Sequence, residues 1–382
     1  MAYTVLARRY RSADFDEVVG QEAIANTLQN AIKLNRVAHA YLFCGTRGVG
    51  KTSMARIFAK AINGGKPEID AAIMAGKDTD VIEIDAASNS GVDNARELIA
   101  NAAYRPLRGK KKIYIVDEVH MLSNAAFNAL LKTMEEPPEH VMFILATTDP
   151  QKVPATIQSR CQRFDFRNIP ASSIAEHLAA VLKKESVTAE PELVFQIAKL
   201  GNGSMRDALS LLDRVIASGE KKLTVKTLEE LLGLPARELV GSLLDAFAGG
   251  TPGPALEAGD TLLKRGISID QVLESLIERL RDLLVLATCG GDTELVELSD
   301  DARKIEVARS AKFDPAAAVH MIAMVESVQR SAKNSACPRA LFDACIVRLA
   351  LTDRLVDATS VLRETKGEPR SAAPASAAPK KR

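Results

Sequence analysis

Apolar residues in the first 168 positions occur in short strand-like runs that are separated by stretches with helical spacing. The strand-like runs lie at 41–44, 81–84, 113–116, 141–146 and 163–166. Their length and their β-branched and aromatic content are typical of strands that are buried in a parallel sheet. The stretches between them, such as 21–36, place apolar residues three and four positions apart. This alternation predicts a parallel α/β sheet with crossover helices.

Beyond Pro170 the strand-like pattern disappears and only helical spacing remains. Short helices are predicted over 171–232, and a second helical block over 236–357. Two segments of that block, 272–287 and 316–331, are long and strongly apolar. They either cover the surface of a partner or form the core of an ordinary helical bundle, and the pattern leaves both alternatives open.

The chain has 382 residues, which is too long for one domain. The change of pattern near residue 170 therefore predicts a mixed fold, α/β followed by all-α. The expected domains are an α/β domain at 1–169, a small helical domain at 170–235, a larger helical domain at 236–360 and a disordered tail at 361–382. The tail is rich in proline, alanine and serine, a composition that does not build a packed core.

The strongest chemical signal lies directly after the first strand-like run, where residues 45–52 read GTRGVGKT. This is the GxxxxGK[ST] phosphate-binding loop, and a helical pattern follows it. Its glycines let backbone N–H groups surround a β-phosphate, and the helix N-terminus adds partial positive charge. Lys51 is expected to reach the β- and γ-phosphates, and Thr52 to bind Mg²⁺. The candidate nucleotide-binding residues of this segment are Gly45, Thr46, Arg47, Gly48, Val49, Gly50, Lys51, Thr52 and Ser53.

An acidic pair, Asp117 and Glu118, follows the third strand-like run. Ligands bind at the carboxyl ends of strands in open α/β sheets, so we expect the pair beside the phosphate loop. Asp117 is expected to hold Mg²⁺ through water and Glu118 to polarise the attacking water, which predicts hydrolysis rather than binding alone. Thr148 follows the fourth run and is placed to sense the γ-phosphate or to hold that water. An ordinary strand-ending turn is the alternative for Thr148.

Two arginines lie in motifs that point to the same chemistry. Arg160 stands in a Ser-Arg-Cys triplet before the fifth run, and Arg206 lies in a helical pattern that follows Gly203. An arginine at a γ-phosphate stabilises the charge of the transition state and accelerates hydrolysis by orders of magnitude. When a neighbouring subunit supplies the arginine, hydrolysis depends on assembly. A surface salt bridge is the alternative for either residue taken alone.

Composition narrows the class of protein. Hydrophobic residues make up 47% and charged residues 26%, as in ordinary globular domains, and the low aromatic content (4%, with no tryptophan) favours helices. There is no run of eighteen apolar residues and no apolar N-terminal signal segment, so we expect a cytoplasmic protein without membrane contact. Five scattered cysteines and five isolated histidines do not have metal-ligand spacing, so no zinc site is expected.

The formal net charge is +1, so any contact with nucleic acid must be local. The basic segment 105–112 is the candidate for a DNA contact. A solvated loop is the alternative, since most runs of charge have no other role.

The combination of these motifs resembles a known family. The chain is similar to the AAA+ ATPase subunit of the bacterial DNA polymerase III clamp loader, the gamma/tau subunit, over roughly residues 3–355. The matching segments are 3–11, 15–21, 39–43, 45–52, 83–89, 116–122 and 159–161. The resemblance implies an AAA+ domain with a phosphate loop, a small helical lid and a C-terminal helical collar that builds a pentamer.

The resemblance implies ATP and Mg²⁺ as ligands of Lys51 and Thr52. It makes Asp117 and Glu118 the Walker B pair and Thr148 the sensor 1 residue.

By the same resemblance, Arg160 is an arginine finger that acts on the ATP of a neighbouring subunit. Arg206 is the sensor 2 residue of the lid. Val18 and Val19 fall where the family contacts adenine.

The function implied by the resemblance is to open a sliding clamp and load it onto primed DNA during replication. The implied partners are the delta and delta-prime subunits, other copies of the chain, the sliding clamp and primer–template DNA. The polymerase core and the helicase are added if the natural chain continues into a longer tau-like form. The implied location is the nucleoid-associated replisome, and any polymerase activity belongs to the holoenzyme by association.

Two departures from the family pattern stand out. The family usually carries a four-cysteine zinc module after the phosphate-loop helix, but residues 61–80 contain no cysteine and predict only a small helical stretch. Ser12 stands where the family commonly has proline. Another DNA-acting AAA+ ATPase, such as a branch-migration motor or another clamp-loader small subunit, is the alternative function. A non-hydrolysing scaffold like delta-prime is a further alternative, against which the intact acidic pair argues.

Overall fold

The computed structural model describes residues 3–89, 91–220, 222–235, 237–296, 298 and 300–352. The tail that was predicted to be disordered, 361–382, lies outside the described residues. Internal contacts divide the chain into two units, with the division between Thr227 and Leu228. The limits predicted for the individual domains stay predictions.

Five parallel strands form the main sheet of the first unit, in the order β2-β3-β4-β1-β5. They are β1 (Ala40–Cys44), β2 (Val81–Asp85), β3 (Lys112–Asp117), β4 (Val141–Thr147) and β5 (Gln162–Asp165). Each lies within one residue of the strand-like run that predicted it, so the α/β prediction is confirmed.

Helices connect these strands and continue beyond them. They are α1 (Leu6–Arg9), α2 (Glu22–Lys33), α3 (Lys51–Asn63), α4 (Pro67–Ala75), α5 (Val92–Ala102), α6 (Asn124–Glu135), α7 (Ala155–Gln158), α8 (Ala171–Lys184), α9 (Pro191–Leu200) and α10 (Met205–Ile216). Short 3-10 turns occur at Phe15–Glu17, Val119–Met121 and Pro150–Lys152.

Two very short strands were not predicted, because only helical spacing is visible beyond residue 170. They are β6 (Thr188–Ala189) and β7 (Lys222–Leu223), which pair in parallel. Two residues are too few to produce an alternating pattern in the sequence.

Both faces of the main sheet are buried because successive side chains of a strand point to opposite sides. In β1, Tyr41 and Phe43 pack into one hydrophobic cluster, while Leu42 packs into the cluster on the other face. In β4, Ile144 and Leu145 divide between the same two clusters. This double burial explains why the strands read as nearly continuous apolar runs.

Helix α4 occupies the region in which the family pattern has its zinc module. Ile69 and Ile73 of α4 are buried in the hydrophobic cluster below it. Arg56 of α3 donates to the carbonyl of Met74 at 2.7 Å and to the carboxylate of Glu83 through two nitrogens, at 2.6 and 2.8 Å. Apolar contacts and this arginine therefore hold the predicted small helix against the sheet. Among the described residues, no group of three histidine, cysteine or acidic side chains could hold a metal ion.

The N-terminal segment is fastened to the helices that follow the sheet. Leu6 of α1 is buried, and α1 packs on α10. The hydroxyl of Tyr3 donates to Asp213 of α10, and Arg9 pairs with Glu185 just beyond α8. The segment between α1 and α2 is thereby carried to the carboxyl edge of the sheet.

Helix α11 (Val225–Leu232) contains the point of division between Thr227 and Leu228. The described residues that follow it form helices joined by turns, without strands. These helices are α12 (Arg237–Ala248), α13 (Pro252–Lys264), α14 (Ile269–Cys289), α15 (Asp300–Ser310), α16 (Pro315–Ala332) and α17 (Pro338–Ala350). The two strongly apolar segments correspond to α14 and α16, which pack against each other in one hydrophobic cluster. The bundle-core alternative therefore accounts for their buried faces. No helix among the described residues has both the length and the apolar composition that a bilayer crossing requires.

A buried charge network links three helices of this second unit. Glu306 of α15 is 2% exposed and pairs with Arg279 of α14. It also pairs with Arg309 at 2.8 Å, which in turn reaches Asp245 of α12 at 3.0 Å. Because a buried charge that loses its partner costs roughly 3–5 kcal/mol, the network constrains how these helices pack.

Candidate nucleotide-binding site

The carboxyl ends of four neighbouring strands meet at one edge of the sheet. The register pairs Cys44 of β1 with Thr147 of β4, and Asp85 of β2 with Asp117 of β3. The backbone N–H of Gly45 donates to the carbonyl of Thr147 at 3.2 Å, which ties the start of the phosphate loop to the end of β4. The structure therefore brings the loop and the acidic pair to the same edge, where ligands bind in such sheets.

The phosphate loop has the backbone that its glycines predict. Gly48 and Gly50 have φ angles of 78° and 102°, in the left-handed region that residues with a side chain rarely adopt. Helix α3 begins at Lys51, directly after Gly50. The first N–H groups of a helix have no partner within it, so an anion in the loop gains hydrogen bonds as well as the favourable end of the helix dipole.

The ammonium of Lys51 lies across the loop. It donates to the carbonyl oxygens of Gly45 and Thr46, both at 2.8 Å, and the residue is buried. Burial lowers the pKa of Lys51, while the carboxylates of Glu118 and Asp117 act in the opposite direction. A lysine in this position offers a compact charge of the kind that binds phosphate groups.

The end of β3 supplies two carboxylates beside the loop. Thr52 Oγ1 donates to Asp117 Oδ2 at 2.7 Å, so the two residues expected to hold Mg²⁺ are in direct contact. Thr148 Oγ1 donates to Glu118 Oε2 at 3.1 Å, so the ends of β3 and β4 are joined as well. Glu118 has a left-handed backbone with φ 48°. Such a conformation costs of order 1–3 kcal/mol and persists only where the surroundings hold it, which is common at functional sites.

These elements surround a cleft of about 410 Å³, within the usual size range of small-molecule sites. The predicted residues that line it are the loop segment 47–53, Val18, Val19, Asp117, Glu118 and Arg206. Three predicted residues do not line it: Gly45, Thr46 and Thr148. The first two accept hydrogen bonds from Lys51, and the third donates one to Glu118. The structure thus brings most of the predicted site into one cavity.

Arg160 lies apart from this cleft. Its guanidinium donates to the carbonyl of Thr156 at 2.6 Å and pairs with Glu135 of α6. The side chain is 32% exposed. An arginine that acts on the nucleotide of a neighbouring subunit must be presented at the surface, and this placement meets that requirement.

Four residues for which no role was predicted also line the cleft: Tyr10, Arg11, Asp85 and His177. Asp85 ends β2 at the same edge as the acidic pair, so the strand-end rule could have found it. Tyr10 and Arg11 lie in segment 3–11, which carries part of the family resemblance, but that segment was given no role at the site. His177 has no signal in the sequence pattern, because the packing of α8 brings it there. Burial lowers the pKa of His177, and the nearby charge of Lys184 lowers it further.

Three protein-family models match successive parts of the chain. Residues 20–170 match the family described as DNA polymerase III, delta subunit. Residues 173–221 match the ATPase lid domain of the DNA polymerase III clamp loader subunit. Residues 223–364 match domain III of the DNA polymerase III subunits gamma and tau.

Curated relatives agree with these models. DNA polymerase III subunit tau of Bacillus subtilis is 40% identical over 364 residues, which cover 92% of this chain and 64% of that protein. Subunit tau/gamma of Haemophilus influenzae is 50% identical over 243 residues, which cover 61% of this chain and 35% of that protein. Subunit gamma of Buchnera aphidicola is 42% identical over 247 residues, which cover 62% of this chain and 68% of that protein. This chain belongs to the DNA polymerase III gamma/tau family.

Membership in the gamma/tau family confirms the resemblance and the fold class predicted from the sequence. The sheet belongs to the AAA+ domain, and a lid domain and a C-terminal helical domain follow it. Membership in this family of clamp-loader ATPases implies nucleotide binding. The chain spans 64% of the Bacillus subtilis relative and 35% of the Haemophilus influenzae relative.

Proposed function

We propose that this chain is the ATP-hydrolysing motor subunit of a bacterial DNA polymerase III clamp loader. It uses ATP binding and hydrolysis to open the sliding clamp and to load it onto primed DNA during replication. The observation that carries the proposal is the hydrogen bond between Thr52 Oγ1 and Asp117 Oδ2, because it joins the phosphate loop to the acidic pair within one cleft. The matching family models support the choice of machine.

The residues that line the cleft fit ATP and Mg²⁺. Lys51 and the N-terminus of α3 suit the phosphates. The hydroxyl of Thr52 and the carboxylate of Asp117 are the oxygen ligands that Mg²⁺ prefers, and the metal would neutralise charge on the phosphates. Val18 and Val19 offer apolar surface for the adenine base.

The hydrolytic roles follow from the positions around the acidic pair. Glu118 polarises the water that attacks the γ-phosphate, and Thr148, which is bonded to Glu118, acts as sensor 1. Arg206 enters the cleft from the first turn of α10 and acts as sensor 2. Because the lid carries Arg206, its position relative to the loop responds to the phosphate that is bound.

Arg160 acts in trans as an arginine finger. It is presented at the surface by its contacts with Thr156 and Glu135, and it does not line the cleft of its own chain. Hydrolysis would therefore depend on assembly with a neighbouring subunit, since only the neighbour's cleft receives this charge.

The partners in this proposal are the delta and delta-prime subunits, other copies of the chain, the sliding clamp and primer–template DNA. A longer tau-like form would add the polymerase core and the helicase, and the location is the cytoplasmic, nucleoid-associated replisome. The basic segment 105–112 is a candidate for the DNA contact. Leu107 at its centre is 81% exposed, whereas Lys112 at its end is buried in β3, so the loop part of the segment is open to a partner.

The test is the steady-state ATPase rate of the chain assembled with delta and delta-prime subunits. The clamp and primed DNA are added separately and together. Strong stimulation by the two together is expected. Glu118→Gln should reduce turnover by about 10²-fold or more, because it removes the base, while ATP binding measured by calorimetry stays near the wild-type value.

Two outcomes would contradict the proposal. Equal stimulation by any duplex, without an effect of the clamp, would indicate a different DNA-dependent AAA+ motor. Unchanged turnover of Glu118→Gln would remove the assigned role of this glutamate. Asp93→Asn, at an exposed pair with Arg96 away from the cleft, serves as a matched loss of one carboxylate and should leave turnover near wild type.

A further inference from the structure

His120 lies between the ends of β3 and β4. It belongs to the short turn Val119–Met121 that follows Glu118, and its side chain is 10% exposed. Its Nδ1 lies 3.0 Å from Thr147 Oγ1 and 3.4 Å from Glu118 Oε2. The imidazole does not line the cleft, so it has no direct access to the nucleotide.

The contacts of Nδ1 bear on the tautomer of the ring, and they favour the one in which the ring proton lies on Nδ1. Thr147 Oγ1 already accepts the backbone N–H of Asp149 at 3.0 Å, and it retains capacity to accept a second donor. A proton on Nδ1 faces two oxygen atoms, whereas an unprotonated Nδ1 would set a lone pair against the carboxylate of Glu118. The Nδ1–H form therefore donates to Thr147 and lies favourably against Glu118.

Two side chains, those of Thr148 and His120, contact Glu118 Oε2. Thr148 Oγ1 donates to it at 3.1 Å, and His120 Nδ1 lies 3.4 Å away. The two threonines are successive residues at the end of β4, so the strand holds the carboxylate directly through Thr148 and indirectly through Thr147 and His120. Because the left-handed backbone of Glu118 is itself unfavourable, its orientation depends on such external contacts.

We propose that His120 is a positioning residue for ATP hydrolysis. Its Nδ1–H, anchored on Thr147, holds Glu118 Oε2 in the orientation from which the carboxylate polarises the attacking water. The inference rests on the proposed ATPase function and goes beyond it by assigning a role to this imidazole. Since His120 does not line the cleft, its loss is expected to change the rate of hydrolysis and not the binding of ATP.

The test compares His120→Leu with the wild-type chain in the complex with delta and delta-prime subunits. Leucine removes the donor and keeps an apolar volume. The expected result is a fall in kcat of about 10- to 100-fold, because a misplaced catalytic group costs that much, with an ATP Kd within about twofold of wild type. His120→Asn, whose amide nitrogen occupies a place close to Nδ1, should recover most of the rate.

A matched control is His140→Leu. His140 directly precedes β4 at its amino end, and its Nε2 is hydrogen-bonded to the carbonyl of Ala102 at 3.1 Å. The substitution removes an imidazole hydrogen bond in the same unit but far along the strand from Glu118. It is expected to leave kcat unchanged, and thermal unfolding of all variants reports any loss of stability.

A second pair of variants keeps the test valid if leucine at position 120 prevents folding. His120→Gln retains polarity but places its amide nitrogen near the position of Nε2, so it should behave like the leucine variant while His120→Asn does not. In the Glu118→Gln background, substitution of His120 should change single-turnover hydrolysis by less than about twofold, because the histidine acts through the glutamate.

The outcomes separate the two proposals. If the wild-type complex binds ATP without hydrolysing it, the ATPase function fails. If it hydrolyses ATP and His120→Leu matches it, only the role of His120 fails. Equal losses of kcat and ATP affinity, or equal rates for His120→Asn and His120→Gln, would also overturn the role, since either result indicates a general structural effect.

Discussion

Gly48 lies so close to Ser204 that a Cβ placed on the glycine would stand 1.9 Å from the serine Oγ. Ser204 caps helix α10 by accepting the N–H of Asp207 at 3.2 Å. The same Cβ would lie 3.2 Å from Cβ of Arg206. The lid therefore meets the phosphate loop at a glycine, and this close approach is what brings Arg206 into the cleft.

Gly48→Ala should weaken ATP binding by about 10-fold or more. The added methyl group requires the loop and α10 to separate, and the left-handed backbone at φ 78° costs about 1–2 kcal/mol for a residue with a side chain. Isothermal titration calorimetry with ATP measures the effect. Gly219→Ala is a suitable control, because Gly219 has φ 77° and nothing within 4 Å of the added Cβ.

The double variant Gly48→Ala with Ser204→Gly separates the cost of the steric overlap with Ser204 from the cost of the left-handed backbone at position 48. Glycine is tolerated at a helix N-cap at a cost of only a few tenths of a kcal/mol, so it relieves the overlap without losing the helix start. Partial recovery of ATP affinity is expected. A double variant that binds no better than Gly48→Ala would show that the contact with Ser204 is not the source of the loss.

Arg160→Ala should reduce ATP turnover in the assembled complex by about 10³-fold, since a trans arginine supplies charge that the neighbouring cleft lacks. ATP binding by the isolated chain should not change. The measurement pairs steady-state turnover of the complex with the ATP Kd of the isolated chain.

Arg163→Ala provides the comparison for this prediction. Arg163 is an exposed arginine on β5 that pairs with Asp165 of its own strand at 2.8 Å. The Arg163→Ala variant should leave ATP turnover of the assembled complex near the wild-type value. A large loss of ATP affinity in the isolated Arg160→Ala chain would place the arginine in its own cleft and contradict the trans role.

Asp80 supports the basic segment 105–112 from beneath. Its carboxylate accepts three backbone N–H groups, from Leu107 at 2.7 Å, Arg108 at 2.6 Å and Gly109 at 2.8 Å. Burial by itself raises the pKa of Asp80, but these hydrogen bonds outweigh it and hold the pKa below its usual value. The loop that exposes Leu107 is therefore anchored by one buried carboxylate.

Asp80→Asn should lower the free energy of unfolding at neutral pH by about 2 kcal/mol. The single amide oxygen of asparagine cannot accept all three backbone N–H groups that the carboxylate accepts. A carboxyl whose folded pKa is depressed contributes stability above its unfolded pKa and loses it as pH falls through the folded pKa. The difference between wild type and Asp80→Asn should therefore shrink below about pH 4. Urea unfolding at several pH values measures it.

Asp93→Asn is the control, since Asp93 pairs with Arg96 on an exposed helix surface. Such pairs contribute little, so no change larger than about 0.5 kcal/mol is expected. A difference between wild type and Asp80→Asn that stayed constant down to acid pH would contradict the linkage.

The strands and the phosphate loop were predictable because they are local. A buried parallel strand is a continuous apolar run, and the loop needs its glycines and its lysine at fixed spacing. Even the contact between Thr52 and Asp117 follows from rules of strand ends, although the two residues are separated by 65 positions. The sequence could not show whether α14 and α16 cover a partner surface or form a bundle core. The apolar pattern of a helix face indicates that the face is buried but not which surface buries it.

Local patterns along the chain were enough to predict the sheet, the phosphate loop, the acidic pair and the succession of an α/β part and a helical part. Three features emerge only from the folded chain: Arg11 and His177 reach the cleft, Gly48 meets Ser204, and His120 lies against Glu118. These contacts join segments through side-chain packing and hydrogen bonds in three dimensions. Periodicity and motif spacing report only how a residue relates to its neighbours along the chain. Contacts between distant segments therefore cannot be predicted from these patterns.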